Sequence, residues 1–233
     1  MQTGAGGPPE AVEAVWLILR VAADANVIVV SAAGNGNQDL DGDAYEDFRS
    51  WGDSGSIIIG AGSSDTEHNK LSFSTYGERV NVHSWGQNVM TAGAFRRDTT
   101  ALLVAHPTGL SRVDFLLRRL LHCSMLGYGV CEFDGCEGAA NCPVQRHYTP
   151  RYSGTSSASA LTAGAVTAIQ SYAKQQLGAV LLPPEMRDLL TRTGTPQGDP
   201  ENGDIGPFIQ MRSAIEELID RKMTVLPALG AAH

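Results

Sequence analysis

The sequence predicts an α/β fold in which a mainly parallel sheet is flanked by helices. Residues 11–25 carry apolar side chains at helical spacing. Residues 27–30 are an uninterrupted β-branched run, which is typical of a parallel strand buried on both faces, and residues 56–62 form a second largely apolar run. A helix followed by buried strands is the order of elements in α/β domains.

Turn-forming residues divide the N-terminal part of the chain. Residues 1–9 are rich in Gly and Pro and predict a flexible lead-in, and the proline pair at its end favours a helix start. Residues 63–70 are polar and predict a turn. Residues 71–77 predict a second turn, and residues 78–86 predict the strand that follows it.

The C-terminal part is predicted to be helical. Small and apolar residues run from Ser156 to about Leu177, and Gly178 is placed to end that helix. A proline pair followed by an acid predicts another helix start at Pro183. That helix is predicted over 186–191. We expect a last helix over 212–221, a domain over 10–222 and a tail over 223–233.

Length and composition exclude several functions. A chain of 233 residues can bury a full core, and 42% hydrophobic with 18% charged residues is a globular composition. The formal net charge of −8 argues against a nucleic-acid or anionic-membrane partner. No apolar run approaches the length of a membrane span, and no signal peptide is visible at the N-terminus.

One stretch, residues 152–164, combines a serine with a run of very small residues. Ser156 follows Gly154 by two positions, and small residues continue beyond it. The pattern predicts a tight turn that enters a closely packed helix. A serine there lies at the positive end of the helix dipole, which favours negative charge on its oxygen. The alternative is a Ser/Thr N-cap on an ordinary helix.

A second stretch, residues 27–36, is a buried-strand run that ends in Ala-Ala-Gly-Asn. Together the two stretches resemble the subtilisin-like serine peptidases, or subtilases. In that family a strand ending in Ala-Ala-Gly-Asn carries the oxyanion-hole asparagine, and a Gly-Thr-Ser-x-Ala-Ser segment carries the nucleophile. The resemblance implies Ser156 as nucleophile and Asn35 as oxyanion donor. It also implies a set of substrate-binding residues: Ala32, Ala33, Gly34 and Thr155.

The resemblance extends between the two motifs. Residues 56–63 resemble the family's next core strand, and residues 71–77 resemble its Ser-Phe-Ser-x-x-Gly turn. Residues 80–86 resemble the strand and turn that follow. The family therefore implies a subtilisin-like fold, with a peptide or protein as substrate.

The aspartate and histidine of a subtilase triad have no match in this chain. In the family both precede the Ala-Ala-Gly-Asn strand, but the segment before Asn35 contains no His and only Asp24. Asp53 imitates the Asp-Ser/Thr-Gly motif but follows Asn35, and His83 is interpreted as part of a turn. The chain thus resembles the C-terminal half of a catalytic domain, with the fold truncated on its N-terminal side. Its expected partner is the missing half, from the same gene or another chain.

An acidic loop follows the Ala-Ala-Gly-Asn strand. Asp39, Asp41 and Asp43 alternate around a glycine as in the first half of an EF-hand loop, but Phe48 stands where that loop needs a glutamate. We expect no required cofactor, and calcium at these three aspartates is one hypothesis. The alternatives are a solvated acidic loop, or an acidic wall favouring a basic substrate residue, because the family places this loop beside a substrate pocket.

Residues 98–149 depart from the family pattern. They are interpreted as a surface insertion or as read-through of non-coding sequence. All four cysteines fall within this segment: Cys123, Cys131, Cys136 and Cys142. The Cys-x2-Cys spacing that is typical of a zinc site is absent. The alternatives for the four cysteines are disulfides, free thiols or a metal site. The family resemblance suggests a secreted or extracytoplasmic protein.

Three functions are weighed. The first is a serine endopeptidase whose incomplete site leaves this chain alone close to inactive, because a hydroxyl nucleophile needs a histidine to take its proton. The second is a non-catalytic pseudo-peptidase or binding module. The third is an α/β-hydrolase elbow at residues 154–158, which needs an acid and then a histidine downstream. Only His233 follows Ser156.

Overall fold

A computed structural model of the protein describes residues 6–92 and 148–230, with side chains described over 6–91 and 152–221. The chain divides into two compact units. The first unit comprises residues 1–86 and 154–233, and the second comprises residues 87–153.

The first unit contains five α-helices and three strands within the described residues. Its N-terminal elements are helix α1 (Glu13–Asp24), strand β1 (Val30–Ala32), helix α2 (Glu46–Ser50), strand β2 (Ile57–Gly62) and strand β3 (Val82–Trp85). Its C-terminal elements are helices α3 (Thr155–Leu177), α4 (Pro183–Thr193) and α5 (Met211–Gly230). Short 3-10 turns lie at Pro9–Ala11, Asp43–Tyr45 and Pro200–Asn202.

The three strands form one parallel sheet in the order β1-β2-β3. Val30 pairs with Ile57, and Ile59 pairs with Val82. The segment that follows the last 3-10 turn bridges to β3, since the N–H of His83 donates to the carbonyl of Pro207 at 2.9 Å. Within the described residues, β1 pairs with β2 alone. The parallel sheet and its helices confirm the predicted α/β fold.

Successive side chains of β2 enter different cores because they point to opposite faces of the sheet. Ile57 and Ile59, both fully buried, pack with α3, α4 and α5 in one cluster. That cluster also contains Val82, Ala158, Val166, Ile169, Met186, Leu189, Leu190, Ala214 and Leu218. Ile58 points the other way and joins a smaller cluster with Ala33, Leu40, Phe48, Val80 and Ile205.

In the part of the second unit that the structure describes, two strands pair antiparallel, β4 (Val89–Ala92) and β5 (Tyr148–Tyr152). Tyr152 pairs with Val89, and the register shifts between Val89 and Thr91. The sequence did not predict β5, which includes the last residues of the expected insertion. The rest of that insertion, with all four cysteines, lies outside the described residues.

Several predicted boundaries were wrong. Strand β1 begins at Val30 and not at Val27, because the N–H of Val27 still donates to the carbonyl of Ala22 at 2.9 Å and closes the end of α1. Helix α1 begins at Glu13 because the proline pair forms a 3-10 turn first. Helix α5 extends to Gly230, into the predicted tail. The prediction ended this helix at Arg221.

The helices in the described ranges were also compared with what a bilayer requires. None of them has the length and apolar character needed to cross a membrane.

Candidate active site

The C-terminal edge of the sheet gathers the residues that the sequence singled out. Asn35 follows β1, Gly86 follows β3, and parallel strands end at the same edge. The N–H of Gly154 donates to the carbonyl of Gly86 at 2.8 Å, which ties the start of α3 to this edge. Open α/β sheets bind their ligands at this edge.

Gly154 makes the turn into α3. Its φ of 110° lies where a side chain is strained, and a Cβ there would be 3.4 Å from Nδ2 of Asn35. A glycine therefore satisfies the backbone geometry and leaves space for the asparagine amide. The sequence prediction of a tight turn entering a helix is confirmed.

The side chain of Asn35 is held by Thr155. Its Oδ1 accepts the Thr155 N–H at 2.8 Å and the Thr155 hydroxyl at 3.0 Å. The Thr155 Oγ1 accepts the N–H of Gly34 at 3.1 Å, and Thr155 is 1% exposed. Because Oδ1 takes both donors, the Nδ2 group is left to donate elsewhere, and no described residue accepts from it.

Ser156 is the second residue of α3 and is exposed. Within the described residues, its Oγ makes no hydrogen bond. Helix α3 is 23 residues long, so the orphan N–H groups and the positive dipole end of a complete helix lie at this serine. The arrangement can stabilise negative charge on or near Ser156.

Ser157, which the sequence reasoning left without a role, is fully buried behind Ser156. Its Oγ lies 2.9 Å from the carbonyl of Gly154 and 3.2 Å from that of Trp85. The hydroxyl thus links the turn before α3 to the end of β3. In the sequence, the signal for this link was that the residue after Ser156 is small and polar.

A glycine pair in the predicted lead-in also contacts the site. The carbonyl of Gly6 accepts the N–H of Gly36 at 2.9 Å and the hydroxyl of Thr75 at 2.6 Å. A Cβ on Gly34, whose φ is 100°, would lie 2.6 Å from Gly6 O and Gly7 C. Of the predicted substrate-binding residues, Ala32 is the last residue of β1. Ala33 is buried, and its N–H donates to the carbonyl of Ile59 in β2.

His83 lies in β3 and not in the predicted turn, and its ring is fully buried. Its Nδ1 donates to the carbonyl of Gly206 at 2.6 Å. Burial lowers the pKa of His83 to about 4, although the bond to Gly206 acts in the opposite direction. His83 is fully buried whereas Ser156 is exposed, and no hydrogen bond joins the two side chains within the described residues.

Asp53 lies at the opposite edge, before β2. It pairs with Arg79 at 3.2 Å and with Arg187. Burial acts to raise the pKa of Asp53, but hydrogen bonds from Arg187 and the Gly55 N–H, with the charges of both arginines, outweigh it and lower the pKa to about 2. Asp53 is therefore part of a structural ion network.

The acidic loop is organised by backbone hydrogen bonds. Asp39 Oδ1 accepts the Asp41 N–H at 2.9 Å, and Asp41 Oδ2 accepts the Glu78 N–H at 3.0 Å. Asp43 begins a 3-10 turn, and Phe48 is buried in a core cluster. Over 6–91 and 152–221, no three His, Cys, Asp or Glu side chains lie close enough to hold a metal ion. A cavity of about 640 Å³ borders the loop and includes Asp39, Asp41, Lys70, Tyr76, Glu201 and Asp204.

A family model supplies the identification. The model of the subtilase family matches residues 2–206. The chain belongs to the subtilase family. The predicted resemblance is thereby confirmed, and subtilases are serine peptidases. No protein of curated function matches the chain.

Solved structures show the same fold. The patellamide maturation protease PatA has a TM-score of 0.50 and 20% identity, over 88% of this chain and 56% of that one. A lanthipeptide protease has a TM-score of 0.53 and 16% identity, over 88% and 55%. Fervidolysin from Fervidobacterium pennivorans, a keratinolytic enzyme related to subtilisin, has a TM-score of 0.53 and 16% identity, over 88% of this chain and 25% of that one. This subtilase chain thus spans about half the length of the first two structures.

Proposed function

We propose that this chain forms the nucleophile half of a serine endopeptidase site. Ser156 is the nucleophile and Asn35 the oxyanion donor. The observation that supports this most is the hydrogen bond from the Thr155 N–H to Asn35 Oδ1, because it orients the amide donor beside an exposed serine at a helix N-terminus. The substrate backbone would lie along Ala32, Ala33, Gly34 and Thr155.

The chemistry follows from these positions. The Oγ of Ser156 attacks the carbonyl carbon of a peptide bond, and the carbonyl oxygen becomes an oxyanion. Asn35 Nδ2 and a backbone N–H at Ser156 donate to that oxygen. Loss of one such donor in acyl-transfer enzymes lowers kcat by roughly 10²–10³.

Ser156 bonds to no histidine within the described residues, His83 is fully buried, and Asp53 pairs with two arginines, so the proposed site needs a histidine and an aspartate from elsewhere. We propose that the N-terminal half of a subtilase catalytic domain supplies both. Two features support a partner on that side. Helix α1 exposes apolar residues, and strand β1 has an unpaired edge within the described residues. Peptides or proteins are the proposed substrates, a secreted location is proposed from the family, and calcium at the acidic loop remains a hypothesis.

The test compares two proteins on a fluorogenic peptide library. One is the chain of 233 residues alone, and the other is the same chain joined to the N-terminal half of a subtilase catalytic domain that carries the Asp-Ser/Thr-Gly and His-Gly-Thr motifs. We expect hydrolysis from the second protein only, and loss of it in Ser156→Ala. Asn35→Ala should lower kcat by roughly 10²–10³ with little change in KM, because the oxyanion forms after binding.

Two outcomes would contradict the proposal. Hydrolysis that survives Ser156→Ala would show that another residue is the nucleophile. Peptide binding without hydrolysis by the joined protein would favour a pseudo-peptidase.

A further inference from the structure

The sequence contains two Asn-Gly pairs, Asn35-Gly36 and Asn202-Gly203. An asparagine before glycine is prone to deamidation, since no side chain on the glycine hinders the reaction. The glycine nitrogen bonds to Cγ of the asparagine, the Cγ–Nδ2 bond breaks, and ammonia leaves with the proton of the glycine N–H. Water then opens the succinimide to aspartate or isoaspartate. In net terms, an amide and water give a carboxylic acid and ammonia.

The first pair is held in a conformation that opposes this reaction. Asn35 Oδ1 accepts two hydrogen bonds from Thr155, at 2.8 and 3.0 Å. The N–H of Gly36, the attacking group, donates to the carbonyl of Gly6 at 2.9 Å. For Cγ of Asn35 to approach that nitrogen, the side chain must leave Thr155 and Gly36 must leave Gly6.

The second pair is held less firmly. Asn202 is exposed and ends a 3-10 turn of three residues, and its side chain makes no hydrogen bond to a described residue. The N–H of Gly203 donates to the carbonyl of Pro200 at 3.1 Å, which is a local bond within that short turn. Opening one exposed turn is enough to bring the reacting atoms of Asn202 and Gly203 together.

We propose that Asn202 is a site of spontaneous deamidation in the folded protein, and that Thr155 and Gly6 protect Asn35 from the same reaction. Deamidation of Asn202 adds a carboxylate beside a cavity that already contains Asp39, Asp41, Glu201 and Asp204. At Asn35 the reaction would remove the Nδ2 donor. The chemistry is independent of the proposed peptidase function, and only the importance of protecting Asn35 depends on it.

The experiment follows both pairs in one sample. The protein is incubated in mildly alkaline buffer with and without urea, digested, and analysed by mass spectrometry for the one-dalton gain at each asparagine. In native buffer we expect Asn35 to react at least roughly tenfold more slowly than Asn202, as the loss of about two hydrogen bonds would require. In urea both should react at similar rates. Equal rates in native buffer, or faster reaction at Asn35, would overturn the proposal.

Two variants separate the protecting contact from general folding. Thr155→Val removes the hydroxyl donor to Asn35 and should raise deamidation at Asn35 several-fold, while Asn202 is unchanged. Thr155→Ser retains the hydroxyl and should behave as the unaltered protein. Asn202→Gln should abolish the rapid deamidation at position 202. An Asn35 rate that is the same in Thr155→Val, Thr155→Ser and the unaltered protein would exclude the protecting role of the hydroxyl.

Discussion

Helix α3 and helix α1 both accompany the sheet, but they are held in different ways. Helix α3 packs on all three strands and places Ala158, Val166 and Ile169 in the main core. Helix α1 has no buried residue, and Leu17, Ile18 and Val21 are 52%, 68% and 68% exposed. The two helices show that an apolar helical sequence does not by itself specify what covers it.

Geometry explains the exposure of α1. Trp16 contacts the protein through an Nε1–H bond to the Gly52 carbonyl at 3.1 Å, and Ala23 lies against Gly55. At 100° per residue, Leu17, Ile18 and Val21 lie on the opposite face. The charged residues of α1, Glu13, Arg20 and Asp24, lie together in a stripe beside Trp16, so the outward residues form a second apolar face. The outward face of α1 is therefore the surface where we propose that the N-terminal half packs.

A buried polar network anchors the segment before α1. Glu10 is fully buried and bonds to Ser54 and Ser56, and its carboxylate pairs with Arg79 at 2.9 Å. Arg79 also reaches Asp53. The α1 side thus combines buried ion pairs with a smaller apolar cluster, whereas the α3 side contains the main apolar core.

The largest effect is expected from breaking that anchor. Arg79→Met leaves Glu10 as an uncompensated buried charge and should lower the free energy of unfolding by about 3–5 kcal/mol. Urea denaturation measures it. The matched control is Arg221→Met, because Arg221 is exposed and pairs with Glu217 one helical turn away at 3.0 Å. The control should cost no more than about 0.5 kcal/mol. Equal losses in the two variants would show that the network is not an anchor.

The next effect tests the apolar side with one residue type. Ile59→Ala removes a fully buried side chain from the main core and should cost about 2–5 kcal/mol. Ile18→Ala makes the same change on the outward face of α1, where the side chain is 68% exposed, and should stay within about 0.5 kcal/mol. A large loss in Ile18→Ala, measured on the isolated chain, would mean that α1 is already covered there.

A third effect depends on pH. The pKa of His83 falls from its usual 6.5 to about 4 on folding. Below pH 6.5 the unfolded chain therefore binds a proton that the folded protein does not. The free energy of unfolding decreases as the pH is lowered from 6.5 to about 4, by about 1.4 kcal/mol per pH unit. The stability that Asp53 contributes is present above its usual pKa of 3.8 and is lost only as the pH falls from there towards its folded-state pKa of about 2.

The measurement for His83 is urea denaturation at several pH values. In His83→Asn the slope of the unfolding free energy against pH, between pH 4 and 6.5, should decrease by about 1.4 kcal/mol per pH unit, whatever the absolute stability of the variant. An unchanged slope would show that His83 does not titrate on unfolding.

The position of Asn35 after a strand and the turn into α3 were predictable from the sequence, and the reasons are local. Gly154 and Gly178 marked the ends of α3, and the Ala-Ala-Gly-Asn motif placed Asn35 after a strand. The contacts that hold the site were not predictable. Thr155 meets Asn35 across 120 positions and Gly6 meets Gly36 through backbone atoms alone, so neither contact leaves a periodic or compositional signal.

The smallest effect on stability tests the proposed covering of α1. Leu17→Lys with Val21→Lys places two charges on the outward face and should change the free energy of unfolding of the isolated chain by less than about 0.5 kcal/mol. It should nevertheless increase the monomeric fraction in light scattering, since exposed apolar faces promote association.

In the protein joined to its N-terminal half, the same pair should be strongly destabilising, because the charges would then be buried. Val180→Lys, at a residue 52% exposed outside α1, is the control. If both variants are tolerated equally in the joined protein, the N-terminal half does not pack on α1.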